Sequence, residues 1–178
     1  MNPEKELLEP IENDEKSKFF KIIWKIVGIA LIILTLSYML TGYTVRNIIA
    51  GKADSQTIKD NTIKSDYGNI ILTNEVYEEL KSLYHTNEKE FRACLKGEYK
   101  NNNYNINTIY LPKIHFQDYD KVISEQCPLK TLLDMHSHPQ QHCIFSEIDI
   151  NGFTPVDEDT LLTVMCGDDR FIFYKKNI

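Results

Sequence analysis

Twenty consecutive residues without a charge, IVGIALIILTLSYMLTGYTV from Ile26 to Val45, constrain this chain more than any other feature. At about 1.5 Å of rise per residue, a helix of that length spans the roughly 30 Å hydrocarbon core of a bilayer. The alternative is a buried helix of a soluble core, but the flanks suit a membrane better. KSKFFKIIWK precedes the run and Arg46 follows it, and Trp24 and Tyr43 stand near its two ends as interfacial anchors would. A cleaved signal peptide is the other rival. The run is longer than a signal core, an acidic leader precedes the lysines, and no A-x-A site follows closely. An uncleaved single-pass anchor is therefore expected, touching the lipid bilayer through residues 26–45.

Orientation rests on a small difference. Lys16, Lys18, Lys21 and Lys25 precede the span, whereas Arg46, Lys52 and Lys59 follow it. The excess of positive charge on the first side puts the N-terminus in the cytoplasm and the C-terminal part outside. The difference is slight enough to leave the side of the folded domain open.

The sequence is 178 residues long, which leaves room for one small folded domain besides the anchor. A net charge of -6, a pI near 5.4 and the lack of any lysine or arginine stripe argue against a nucleic-acid partner. Residues 1–18 form a polar tail, 19–45 the transmembrane helix, and 46–67 a polar stretch with little apolar periodicity that reads as a linker. The folded domain is expected at 68–178.

Within that domain, TNEVYEELKSLYHT spaces Val76, Leu80 and Leu83 at i, i+4 and i+7 behind Thr73, which predicts an N-capped amphipathic helix. EFRACLKGEY and INTIYLPKI flank the turn-rich KNNNYN and read as a pair of strands. KTLLDMH reads as a further strand, FSEIDINGF opens like a short helix, and LLTVMCG with RFIFYKK closes as a hairpin. The fold class is α+β, a central mixed β-sheet flanked by helices. Cys94, Cys127, Cys143 and Cys166 show no C-x-x-C pair, so they are either buried thiols or disulfides whose pairing spacing cannot decide.

The chemistry concentrates in LLDMHSHPQQHCIFSEIDI. His136 and His138 are two apart at a strand end, so both imidazoles point to one face. Ser146 and Asp149 are three apart at a helix start and share one helical face. Packed together, these supply two imidazoles and a carboxylate, the ligand set of a hydrolytic zinc site that keeps one position for water. Zinc lowers the pKa of its water to about 7, and a base must still move the proton. The plainer alternative for Ser146 and Asp149 is a capping box, S-x-x-D, which needs no metal and is compatible with one.

HSHP followed by SEID fits the pattern H-x-H-P-x(6)-S-x-x-D and resembles the JAMM, or MPN+, metalloproteases, prokaryotic members in particular. That family also carries an upstream glutamate seven residues before a glycine, and EFRACLKG places Glu90 seven before Gly97. The resemblance covers about Thr73 to Ile178 and implies an MPN-type domain. It implies His136, His138 and Asp149 as ligands of one Zn2+ per chain, Glu90 as general acid and base, and Ser146 as hydrogen-bond donor to the developing oxyanion. It further implies an isopeptidase or peptidase whose substrate is a protein or peptide, with ubiquitin-like conjugates among the family's substrates. Only about thirty residues follow Asp149, so the large insertion with which eukaryotic members grip polyubiquitin has no place here.

Glu98 is the rival acid, since strand parity puts it on the same face as Glu90. His142 lies in the loop between the two motifs as a rim or surface residue, and Cys143 is close enough to ligate in principle but is made unnecessary by the complete His, His, Asp set. His115 and His85 stand alone, and His85 suits the end of its helix. Two other functions stay open beside the metalloprotease: a catalytically silent MPN-like interaction module at the membrane, and a zinc peptidase for an unrelated extracytoplasmic peptide.

Overall fold

A computed structural model describes residues 13–41, 43–119, 121–139 and 141–176, without the side chains of 13–17, 40–41 and 43–47. The chain divides into two compact units, residues 1–45 and 46–178.

The first unit contains α1 (Asn13–Thr41). Its stretch Lys18–Met39 is long and apolar enough to cross a membrane, and none of that stretch is buried against protein. Phe20, Trp24, Ile32, Leu34 and Met39 all stand exposed. An all-round apolar surface of this kind is unfavourable in water and suited to lipid. The window begins before the uncharged run 26–45 and within one residue of the expected helix start at 19, because the apolar residues of FFKIIWK continue the helix around Lys21 and Lys25. It reaches Met39; α1 is described to Thr41, and Tyr43 and Val45 are described in α2 (Tyr43–Asp54). The expected anchoring side chain of Tyr43 lies outside the described residues.

The second unit is an α+β domain built on an eight-stranded sheet. Its strands are β1 (Gln56–Thr57), β2 (Thr62–Ser65), β3 (Gly68–Leu72), β4 (Arg92–Lys100), β5 (Asn103–Tyr110), β8 (Thr131–Ser137), β9 (Leu161–Met165) and β10 (Arg170–Tyr174). They lie in the order β1-β10-β9-β8-β4-β5-β3-β2. The sheet is mixed, with β3 beside β5 and β8 beside β9 parallel and the other pairs antiparallel. A separate antiparallel pair joins β6 (Ile114–Gln117) to β7 (Val122–Ser124).

The stretch 46–67, expected to be a linker, belongs to this domain. β1 pairs with β10 and β2 with β3, and Ile58 and Ile63 enter the core. Strands of two and four residues are too short to show periodicity, so only their partners reveal them. The end of α2 is fastened as well, by Arg170, whose guanidinium donates to Lys52 O at 3.2 Å and Ser55 Oγ at 2.9 Å.

Helix α3 (Asn74–Thr86) forms as its spacing predicts. Thr73 Oγ1 accepts from Val76 N, and Val76 and Leu80 are buried while Leu83 packs at the margin. The turn between β4 and β5 places Asn101 and Asn102 at φ of 52° and 61°. Two successive left-handed residues of this type make a tight hairpin whose twist matches its strands.

The core gathers Ile70, Leu95, Ile106, Leu133, Met135 and Leu161, each at most 1% exposed. Side chains of this size contribute about 1.5–3 kcal/mol apiece on burial. β8 lies between β4 and β9, and all seven of its residues are buried. The strand that ends in the histidine motif is therefore the best-supported element in the domain.

Candidate metal centre

β8 carries His136, and His138 follows one residue past its end. Their rings lie on one side with centroids 5.0 Å apart, as period-two geometry requires. Opposite them stands α4 (Glu147–Gly152), capped by Ser146. The capping box is complete: Ser146 Oγ accepts from Asp149 N at 3.1 Å, and Ser146 N donates to Asp149 Oδ2 at 2.7 Å. Cap and ligand are compatible, because Oδ1 still faces the imidazoles. It lies 3.4 Å from His136 Nε2, and Oδ2 lies 3.9 Å from His138 Nε2.

These donors fit a metal. One ligand atom each from His136, His138 and Asp149 lies within 4.8 Å of the others, and this is the one such group found among the described residues. His136 Nε2 is buried without a hydrogen-bond partner, despite its closeness to the carboxylate. An orphaned buried nitrogen is costly, and coordination would satisfy it. His138 Nδ1 meets His142 O at 2.7 Å. A carbonyl only accepts, so Nδ1 carries the proton and Nε2 presents its lone pair to the site. This is the outer support that fixes a ligating imidazole.

The charge states agree with ligation. Burial, followed by the neighbouring His136 ring, pushes His138 down to about 4, so it is neutral at neutral pH. Burial alone would raise the Asp149 carboxyl. The His136 ring and the bonds to Ser146 outweigh it and hold the group well below the usual carboxylate range.

Glu90 stands just ahead of β4, with 5% of its surface exposed, and its Oε1 lies 3.5 Å from His138 Nε2. Glu98 is exposed farther along β4. Parity along β4 does not relate the two, because Glu90 lies ahead of the strand, which begins at Arg92, whereas Glu98 lies within it. Register shifts beside Lys96 place one extra residue in each partner strand, Leu132 in β8 and Asn107 in β5. Gly97 is required there, since a Cβ would sit 1.8 Å from Asn105 O.

Several supporting residues escaped sequence reasoning. Ser137, between the two histidines, points to the other side of β8. Its Oγ accepts from Phe91 N at 3.0 Å and its N donates to Phe91 O at 2.9 Å, which seats the residue next to Glu90. Gln117 Nε2 donates to Glu90 O at 2.8 Å, and Glu90 N donates to Asp118 O at 3.1 Å. Tyr84 on α3 donates its hydroxyl to His138 O at 3.2 Å. The alternation in H-S-H was a signal for Ser137; the others depend on contacts across 27 and 54 residues.

Glu90, His136, Ser146 and Asp149 line a cavity of about 230 Å³. Its wall adds Val122, Ile123 and Ile148, and a partly buried ion pair in which Arg92 donates to both Asp134 oxygens, at 2.8 and 2.6 Å. The cavity thus brings His136 and Asp149, two of the three candidate ligands, together with apolar side chains.

The remaining candidates fall elsewhere. His115 is exposed, and His85, expected to stand alone, pairs with Asp168 at 2.9 Å. His142, expected at the rim, has a buried Nε2 without a partner and contributes its carbonyl. Cys143 is bonded to Cys166, and Cys94 to Cys127. No protein-family model, curated protein or solved structure matches this chain.

Proposed function

We propose that this chain is a membrane-anchored zinc metallopeptidase or isopeptidase of the JAMM type, which hydrolyses an amide bond of a protein or peptide. The observation that carries the proposal is the convergence of His136, His138 and Asp149 with Glu90 beside a lined cavity. His136, His138 and Asp149 would hold one Zn2+, which supplies Lewis acidity and makes hydroxide accessible at neutral pH.

The chain's own groups do the rest. The Val122, Ile123 and Ile148 side chains seat the polypeptide beside the ligands. Glu90 Oε1 takes a proton from the attacking water and gives it to the leaving amine nitrogen, so that water and amide become carboxylate and amine. The Ser146 hydroxyl accepts from Asp149 N, and its own proton is donated to the oxygen that gains negative charge. Ser137 and Gln117 keep Glu90 in place from two sides.

Glu90→Gln separates this reading from a silent interaction module. The variant keeps about one zinc per chain, because Glu90 is not in the ligand set, and its turnover of a panel of ubiquitin-like and unrelated peptide substrates falls about 10²–10⁴-fold. Loss of zinc in Glu90→Gln, or no hydrolysis by a zinc-loaded wild type, would sink the assignment.

A further inference from the structure

We propose that Cys143 and Cys166 are positioning residues of the metal centre, and that their disulfide holds the loop 139–146 in the shape that aims His138. The inference rests on the metallopeptidase reading above.

The argument is a closed ring of bonds. Met165 O accepts from His138 N at 2.9 Å. His138 Nδ1 donates to His142 O at 2.7 Å. His142 is followed by Cys143, Cys143 is joined to Cys166, and Cys166 is next to Met165. Every link from the ligand through the loop and back to the end of β9 is a covalent bond or a hydrogen bond. The carbonyl that sets the tautomer of His138 is thus one residue from the crosslink, and Ser146, which caps the helix bearing Asp149, is three residues beyond it.

The surroundings point the same way. Cys143 and Cys166 are each 1% exposed and form a cluster of their own with Val164 and Ile172, against which Phe145 packs. Gly51 on α2 meets the Cys143 backbone so closely that a Cβ would lie 2.8 Å from its N and O. Apart from this crosslink, the described residues of the loop form no helix or strand, and Ser146 begins only a six-residue helix with no buried residue. The second disulfide joins β4 to the segment ahead of β8, and both of its residues lie outside the loop and outside β9.

Forming the bond removes two protons and two electrons from the thiols and passes them to an oxidising disulfide, which leaves as a dithiol. Such bonds persist in oxidising compartments and are rare in the cytosol. A centre that needs this crosslink therefore matures where thiols are oxidised, and its substrate is a polypeptide met there.

The test uses the full chain in detergent and zinc as the probe. Zinc affinity, by chelator competition, and the visible spectrum of the cobalt-loaded protein are compared for wild type, Cys143→Ser with Cys166→Ser, and Cys94→Ser with Cys127→Ser. Loss of the outer support of a ligating histidine predicts about 10–100-fold weaker zinc and an altered cobalt spectrum in the first pair alone. Wild-type affinity in that pair overturns the inference while leaving the metallopeptidase reading standing. Equal losses in both pairs also overturn it, by showing a general effect on the fold. No zinc in any of the proteins, wild type included, overturns both. Should the first pair not fold, reduction and reoxidation of the Cys94→Ser, Cys127→Ser protein repeats the comparison on one disulfide. Affinity that falls and returns supports the inference, and unchanged affinity overturns it.

Discussion

His136 and Asp149 face each other across 3.4 Å but are held in place by different means. His136 belongs to a central strand whose seven residues are all buried, bonded to β4 on one side and β9 on the other. Asp149 belongs to a six-residue helix without a single buried residue, and its position depends on two short bonds to Ser146. One half of the centre is aimed by the sheet and the other by a local cap. The difference teaches that a strand can present a ligand at the cost of leaving its buried nitrogen unpaired, whereas a helix start can satisfy its carboxylate and still offer one oxygen.

The largest effect is expected where the two halves are equivalent. His136→Ala and Asp149→Ala each remove one of three protein ligands, so metal analysis should find about one zinc per wild-type chain and almost none in either variant. Retention of zinc by Asp149→Ala would show that the helical half is not part of the centre.

Next comes Ser146→Ala, which touches only the capped half. Loss of a hydrogen bond to the developing oxyanion lowers turnover by about 10²–10³-fold with zinc retained. Loss of the cap costs about 1 kcal/mol, read as a lower denaturation midpoint of the metal-free protein. An unchanged midpoint would mean that β8 and β9, not the cap, hold the loop.

Asp149→Asn separates cap from ligand. The amide oxygen still accepts from Ser146 N, so the cap is kept, and the metal-free protein melts lower than wild type only by what the lost charge beside His136 contributed. Zinc, which prefers the carboxylate, binds at least about tenfold more weakly. Equal affinity for both forms would break the proposed division of labour.

The smallest effect belongs to the strand half. Tyr84→Phe removes one hydrogen bond to His138 O and costs about 1 kcal/mol in chemical denaturation, with a few-fold change in zinc affinity. A loss as large as that in Asp149→Ala would mean that α3, rather than β8, aims His138.

Much of this organisation was legible because it is local. The apolar helix, the cap at Thr73 and its Val76 and Leu80 face, the asparagine turn and the capping box of Ser146 and Asp149 each depend on residues within four positions of one another. The convergence of His136 and His138 follows from the pleat of one strand. Illegible were the features that depend on neighbours across the sheet. The stretch 46–67 looks like a linker until β10 and β3 are there to pair with it. Glu90 and Glu98 look equivalent until the fold buries Glu90 beside His138 and leaves Glu98 exposed.

The sequence by itself determined where the chain is apolar enough for lipid, where α3 and α4 start, and that two imidazoles and a carboxylate lie close along the chain. Short-range sterics, capping and hydrophobic periodicity are enough for that. Only the tertiary structure decided that Glu90 meets His138, that His142 supplies a carbonyl rather than a ring, and that Cys143 pairs with Cys166 and Cys94 with Cys127. These are contacts between chain segments whose approach depends on strand order and register, quantities set by packing of the whole sheet and not by any one stretch of it.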